Sequence, residues 1–134
     1  MEEFELRARD LERASREDPS VLERGELLGL MADETWSVRM HLCRMFPRVA
    51  WPPEEYREVR DYAFEQASFK NAFVRAWALN CLAAFARRDE EIRPRVLEMI
   101  EHAMENEPPS VRVCARKALK TLTEEAPRQV SQAT

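Results

Sequence analysis

The sequence predicts an all-α protein built from stacked pairs of helices. Apolar residues recur at helical spacing along most of the 134 residues, and no segment shows the polar–apolar alternation typical of a β-strand. The chain has only two glycines, Gly25 and Gly29, beside eight prolines. Glycine-rich phosphate loops, glycine turns of hairpins and nucleophile elbows all require glycine, so these motifs are excluded.

The first half of the chain is predicted to contain three helices. A charged helix covers about residues 2–16. Asp18 is typical of an N-cap and Pro19 of a first helical position, and they open a second helix that reaches about Ala32. Asp33-Glu34-Thr35 separate this helix from the next one, which begins after them. The third helix has an apolar stripe formed by Trp36, Val38, Leu42, Met45, Phe46 and Val49.

Prolines divide the second half into four further helices. Pro52-Pro53 ends one segment and opens a helix with Tyr56 and Tyr62 on its apolar stripe. A turn at 68–71 precedes residues 72–86, a helix that is apolar on nearly every side. The last two stripes, separated by Pro108-Pro109, are Ile92, Val96, Ile100, Ala103 and Met104, then Val111, Ala115, Ala118, Leu119 and Leu122.

The second helices of three successive pairs begin alike, at Val38-Arg39, Val74-Arg75 and Val111-Arg112. Their spacings are nearly equal, about 36 and 37 residues, which indicates an internal repeat. A helix pair that cannot bury its apolar stripe alone does so by stacking on the next pair. The middle second helix is then apolar all round because it has neighbours on both sides.

The pattern resembles HEAT repeats, whose second helix typically begins Asp-x-x-x-x-Val-Arg-x-x-Ala-x-x-Ala-Leu. The third repeat matches this best, with Val111, Arg112, Ala115, Ala118 and Leu119 in place. The resemblance covers about residues 19–122 and implies a right-handed α-α superhelix. The family's aspartate, which pairs with the arginine in a ladder between repeats, is present only as Asp33. Its counterparts are Phe69 and Asn106, so the ladder is expected to be incomplete.

The expected organisation is therefore one domain, residues 1–126, with repeats at about 19–50, 52–88 and 89–124 and a flexible tail at 127–134. The charged N-terminus is unlike a signal peptide, and three cysteines suggest reduced thiols, so a cytoplasmic protein is expected. The longest apolar stretch is interrupted by Arg75 and Asn80 and is too short to span a membrane. The net charge of −4 argues against general nucleic-acid affinity.

The outward face of the three second helices is the candidate binding site. In HEAT-like arrays these helices usually line the concave surface where partners bind. The resemblance thus implies a shallow groove with an apolar centre and a basic rim, suited to a partner helix or an extended peptide. The expected contact residues are Met40, Arg44, Leu79, Asn80, Val113, Arg116 and Lys117.

Charge is segregated within the last pair of helices. Residues 89–107 contain seven acidic side chains, whereas residues 111–122 contain Arg112, Arg116, Lys117, Lys120 and no acid. This distribution either steers an acidic partner into the groove or neutralises the pair internally.

The expected function is non-catalytic binding of a protein or peptide partner, with no cofactor, metal or membrane, by a monomer or weak homodimer. No Ser-His-Asp or Cys-His arrangement is indicated, and His41 and Cys43 point in different directions on one helix. The alternative is nucleic-acid binding. The chain is faintly similar to HEAT-like DNA alkylation-repair glycosylases, and that likeness would assign roles to Trp36, Trp77, Asp33, Arg44 and Lys117. Self-association through exposed ends also remains open, as does a role like that of chromophore-loading proteins related to phycobilin lyases.

Overall fold

The structure, a computed structural model, describes residues 2–124, and these residues are all-α with no strand. The predicted fold class is confirmed at this level. The predicted tail at 127–134 and the end of the predicted domain at 126 lie outside the described residues. The seven α-helices are α1 (Glu3–Ser15), α2 (Arg24–Leu30), α3 (Trp36–Met45), α4 (Pro53–Gln66), α5 (Ala72–Ala86), α6 (Arg93–Asn106) and α7 (Pro109–Thr123).

Two predicted helices are shorter than expected. The segment 19–32 is divided into a 3-10 turn, Pro19–Val21, and α2, because Leu22 and Glu23 adopt extended backbone angles and Leu22 enters the core. The third helix ends at Met45 instead of Val49. Pro47 has no N–H to continue the helical hydrogen bonds, and Phe46–Arg48 form a 3-10 turn.

The helices α1, α3, α5 and α7 form one layer in which each contacts the next. Helix α4 packs on α5, and α6 packs on both α5 and α7. Helix α5 therefore has neighbours on every side, and 9 of its 15 residues are buried. This confirms the expected reason for its all-round apolar sequence. No helix between residues 2 and 124 combines the length and apolar content that crossing a bilayer needs.

The repeated Val-Arg pairs have two structural roles. Val38, Val74 and Val111 are buried in the core. Each of the first two arginines links its own repeat to the next one: Arg39 donates to the Glu34 carbonyl and to Gln66 Oε1, which lies at the end of α4. Arg75 makes the corresponding bonds one repeat later, to the Phe69 and Lys70 carbonyls and to Glu107.

Candidate partner-binding surface

Each second helix has two side faces within the layer. We call the face toward the preceding helix the upstream stripe and the face toward the following helix the downstream stripe. The upstream stripe is Ser37, His41 and Arg44 on α3, continued by Arg48 in the 3-10 turn that follows, and Phe73, Trp77, Asn80 and Ala84 on α5. The downstream stripe includes Met40 and Cys43 on α3, Ala76, Leu79 and Ala83 on α5, and Val113, Arg116 and Lys120 on α7.

The upstream stripe of α3 contacts α1. Ser37 Oγ donates a hydrogen bond to Glu5 at 2.7 Å, near the N-terminal ends of both helices. Further along both segments, Arg48 donates to the Glu12 carbonyl and to Ser15 Oγ, which lie seven and ten residues after Glu5. The two helices therefore run parallel. Helix α1 lies beside α3 as the first member of the layer.

Glu12 is the centre of a buried ionic cluster between these helices. Its side chain is 1% exposed and lies 2.6 Å from Arg16, 3.1 Å from Arg48 and 3.5 Å from Arg44. Burial alone would raise the pKa of Glu12, but the hydrogen bonds from Arg16 and Arg48 and the charge of Arg44 hold it below the ordinary value. Arg44, expected on the open rim, is thus engaged by α1.

The upstream stripe of α5 brings aromatic side chains to α3. The Arg44 guanidinium lies over the Trp77 ring, 4.4 Å from its centroid, and Trp77 packs against the core. One helical turn nearer the N-termini, Trp36 and Phe73 are stacked with centroids 6.3 Å apart. Asp33, which the glycosylase-like alternative requires, accepts a hydrogen bond from the Thr35 N–H at 2.8 Å.

The downstream stripe of α5 is closed. Ala76 is 4% exposed and Leu79 is 5% exposed, because α7 packs on this side of α5. Leu79 therefore lies in the interior and not on an open face, contrary to expectation. The helical wheel separates a core side from an outer side, but it contains no information about a neighbouring helix in the same layer. Met40 and Asn80 are half-buried, and Val113, Arg116 and Lys117 are exposed.

The largest exposed aromatic group is the Trp36–Phe73 pair. Trp36 is 43% exposed and Phe73 is 56% exposed, although both lie at the starts of otherwise well-packed helices. Beside them is an open cleft of about 560 Å³, lined by Glu34, Trp36, Arg39, Phe69, Lys70 and Asn71. Phe73 was not predicted to be a surface residue, because α5 is apolar on every side. The spacing of Phe73 to Trp77, one helical turn, was the available signal.

Among residues 2–124, no three His, Cys, Asp or Glu side chains come together as metal ligands would. Burial raises the pKa of Cys43 to about 12 and that of Cys81 well above its ordinary value, which disfavours the reactive thiolate at both positions.

Comparisons of the chain with protein-family models, with curated proteins and with solved structures give no significant match.

Proposed function

We propose that the chain is a HEAT-like module, a right-handed α-α superhelix of three repeats with α1 added to its first end, and that it binds a protein partner without catalysis. The repeated Val-Arg pairs, the layer formed by α1, α3, α5 and α7, and the arginine bonds between repeats support this proposal. A cytoplasmic setting is part of the same proposal, supported by three cysteines that are all unpaired.

The observation that supports partner binding best is the exposure of the Trp36–Phe73 pair. Exposed large aromatic side chains that lie next to each other are characteristic of interaction sites, and tryptophan is enriched among residues that dominate binding energy. The two rings belong to α3 and α5, helices that pack against each other. A stacked aromatic pair beside an open cleft suits an apolar side chain of a partner segment.

The charge of the same layer indicates an acidic partner. Lys117 on α7 is exposed, and Arg116 and Lys120 lie next to it on the same helix. None of these three cations is within ion-pair distance of an acid among residues 2–124. Unpaired cations attract carboxylates and accelerate association with an acidic partner. The proposed partner segment therefore has an apolar anchor and acidic residues.

A capture experiment with matched variants tests the proposal. The wild-type chain, W36A/F73A and K117E are each used to retain proteins from a cell extract, with R57E as the control. Arg57 is exposed on α4, away from the second helices. A protein retained by the wild type and R57E, but lost with W36A/F73A and reduced with K117E, supports the proposal. A retained set that is the same for all four chains contradicts it.

Duplex DNA is measured in parallel, because the alternative function assigns Lys117 to phosphate contacts. Fluorescence anisotropy with a labelled duplex is recorded at rising salt for the wild type and for R116Q/K117Q. Binding that falls steeply with salt and is lost in the double variant would favour nucleic-acid binding over a protein partner. Absence of binding leaves the protein partner as the supported function.

A further inference from the structure

Helix α7 has a downstream stripe without a neighbouring helix among residues 2–124. On α5, the equivalent stripe is buried by α7, and on α3 Cys43 is buried at 1% exposure on the side of α5. On α7, by contrast, Val113 is 43% exposed, and Arg116 and Lys120 are exposed. The downstream stripe packs on the following helix in α3 and in α5, and it is open in α7.

The opposite end of the layer has a groove. It lies between α1 and α2, has a volume of about 1100 Å³, and is lined in part by Phe4, Arg7, Gly25, Glu26 and Gly29. Arg7 and Glu26 form an ion pair at 2.6 Å that joins the two helices. Phe4 is 55% exposed and nearby Leu6 is 38% exposed. This end therefore exposes apolar surface in a concave site.

Both glycines of the chain, Gly25 and Gly29, line this groove one helical turn apart. A Cβ atom added at either position meets nothing within 4 Å, and neither glycine has a positive φ angle. Neither space nor backbone conformation within one chain therefore requires glycine here, although glycine disfavours a helix relative to alanine. Glycines one turn apart let another helix approach the backbone of α2 closely.

The two ends have opposite charge. Residues 2–34 contain 11 acidic and 5 basic side chains, and Glu3 and Asp33 line the groove. Residues 109–123 contain Arg112, Arg116, Lys117, Lys120 and no acid. A basic helix edge and an acidic groove at opposite ends of one chain are complementary between two copies of that chain.

We infer that the chain associates with itself head to tail, so that the downstream stripe of α7 in one copy packs into the α1–α2 groove of the next. In this arrangement α1 of the second copy packs beside α7 of the first copy, just as α7 packs beside α5 within one chain. The layer of helices therefore continues from one copy to the next. The contact uses two different surfaces and leaves one of each unoccupied. It therefore produces open chains whose length grows with concentration, instead of a closed dimer.

Sedimentation velocity on the wild type and two variants tests this inference. R116E/K120E alters only the α7 edge, and G29R places a large cation in the groove. Both changes lie at exposed positions, and circular dichroism and thermal unfolding verify that the variants are folded. We expect the mean mass of the wild type to rise with concentration and to fall with added salt, whereas each variant alone remains monomeric.

Mixing the two variants gives the decisive measurement. R116E/K120E retains an intact groove and G29R retains an intact α7 edge, so the mixture is expected to form a one-to-one complex that stops at the dimer. A wild type that remains monomeric at all concentrations overturns the inference, and so does a mixture that remains monomeric when the wild type associates. W36A/F73A is expected to associate like the wild type, which distinguishes self-association from binding of another protein.

Discussion

Arg75 on α5 and Glu107, the residue after α6, form a two-bond ion pair in which Nε and Nη2 each donate to a carboxylate oxygen at 2.8 Å. The third guanidinium nitrogen, Nη1, donates to the carbonyl oxygens of Phe69 and Lys70, both at 2.9 Å. One side chain thus joins the turn before α5 to the turn before α7. The hydrogen bonds from Arg75 lower the pKa of Glu107, which keeps the carboxylate charged.

Replacing Arg75 by methionine is expected to lower the free energy of unfolding by about 1.5–3 kcal/mol, because a half-buried carboxylate and two carbonyls lose charge-assisted donors. Urea unfolding followed by circular dichroism measures the change. R112M is the matched control: Arg112 has the same place in the last repeat and donates no side-chain hydrogen bond among residues 2–124. Its expected change is below about 0.5 kcal/mol. Equal losses in both variants would contradict the assigned role.

The arginine links show what the sequence could predict and what it could not. The Val-Arg pairs mark the positions of Arg39 and Arg75, and in the structure each of these arginines joins its helix to the segment that follows. The ladder was expected to be incomplete, because Phe69 and Asn106 stand where the family has aspartate; in the structure the two arginines use other side chains, Arg39 bonding to Gln66 and Arg75 to Glu107. A guanidinium reaches several ångströms from its own helix, so an acceptor one to three residues away in the turn serves equally well. The repeat spacing in the sequence therefore does not specify which residue of the turn accepts the hydrogen bond.

The candidate surface was predictable only in part. Val113, Arg116 and Lys117 are exposed as expected, because their helix lies at an end of the layer. Leu79 occupies the equivalent face of a central helix and is buried by α7. Helical periodicity gives the direction in which a side chain points along one helix. Whether another helix lies in that direction depends on the order of packing, which local sequence does not specify.

The Glu12 cluster predicts an acid-sensitive fold. The pKa of Glu12 is lowered in the folded chain, whereas in the unfolded chain it is near the ordinary value of about 4.3. The cluster therefore stabilises the fold fully above that value, and the contribution is lost as the pH falls through the folded pKa. Neutralising it in E12Q is expected to lower the free energy of unfolding at pH 7 by about 3 kcal/mol.

Urea unfolding of the wild type and E12Q between pH 7 and pH 3 measures both effects. The difference in free energy of unfolding between the two proteins should shrink as the pH falls. Protonation of Glu12 removes from the wild type the ionic stabilisation that E12Q already lacks at pH 7. D10N is the control, since Asp10 forms an exposed pair with Arg9 at 3.4 Å. Its expected effect is below about 0.5 kcal/mol. A difference between the wild type and E12Q that is constant across this range would show that the charge of Glu12 has no part in the stability.

The three cysteines are expected to react at very different rates. Cys114 is partly exposed, whereas Cys43 and Cys81 are buried and their pKa values are raised by desolvation. An aromatic disulfide reagent at pH 8 should modify one thiol of the folded protein quickly and the other two only after unfolding in urea. C114S should remove the fast phase. A fast phase that persists in C114S would mean that Cys43 or Cys81 is accessible in the folded chain.

Gly29 is expected to lower the stability of the isolated chain. It lies near the end of α2, its φ angle is negative, and an added Cβ meets nothing within 4 Å. Alanine in a helix is favoured over glycine by about 0.5–1 kcal/mol, so G29A should raise the free energy of unfolding by that amount. The measurement is made at low protein concentration, where self-association contributes least.

The same substitution separates stability from association, because a methyl group at Gly29 enters the groove that is proposed to receive α7 of a second copy. G29A should therefore unfold at higher urea and yet reach a given mean mass only at higher concentration than the wild type. G25A is the matched second variant, because Gly25 lies on the same side of α2, lines the same groove and has the same free space.

Two outcomes would contradict this account of the glycines. If G25A and G29A both lower the free energy of unfolding, the open space beside α2 is needed within one chain, and the reason for glycine is structural. If both variants are more stable and associate as strongly as the wild type, close approach of a second copy does not explain the glycines. Higher stability together with weaker association of G25A and G29A is the result expected if the glycines allow another molecule to contact the backbone of α2.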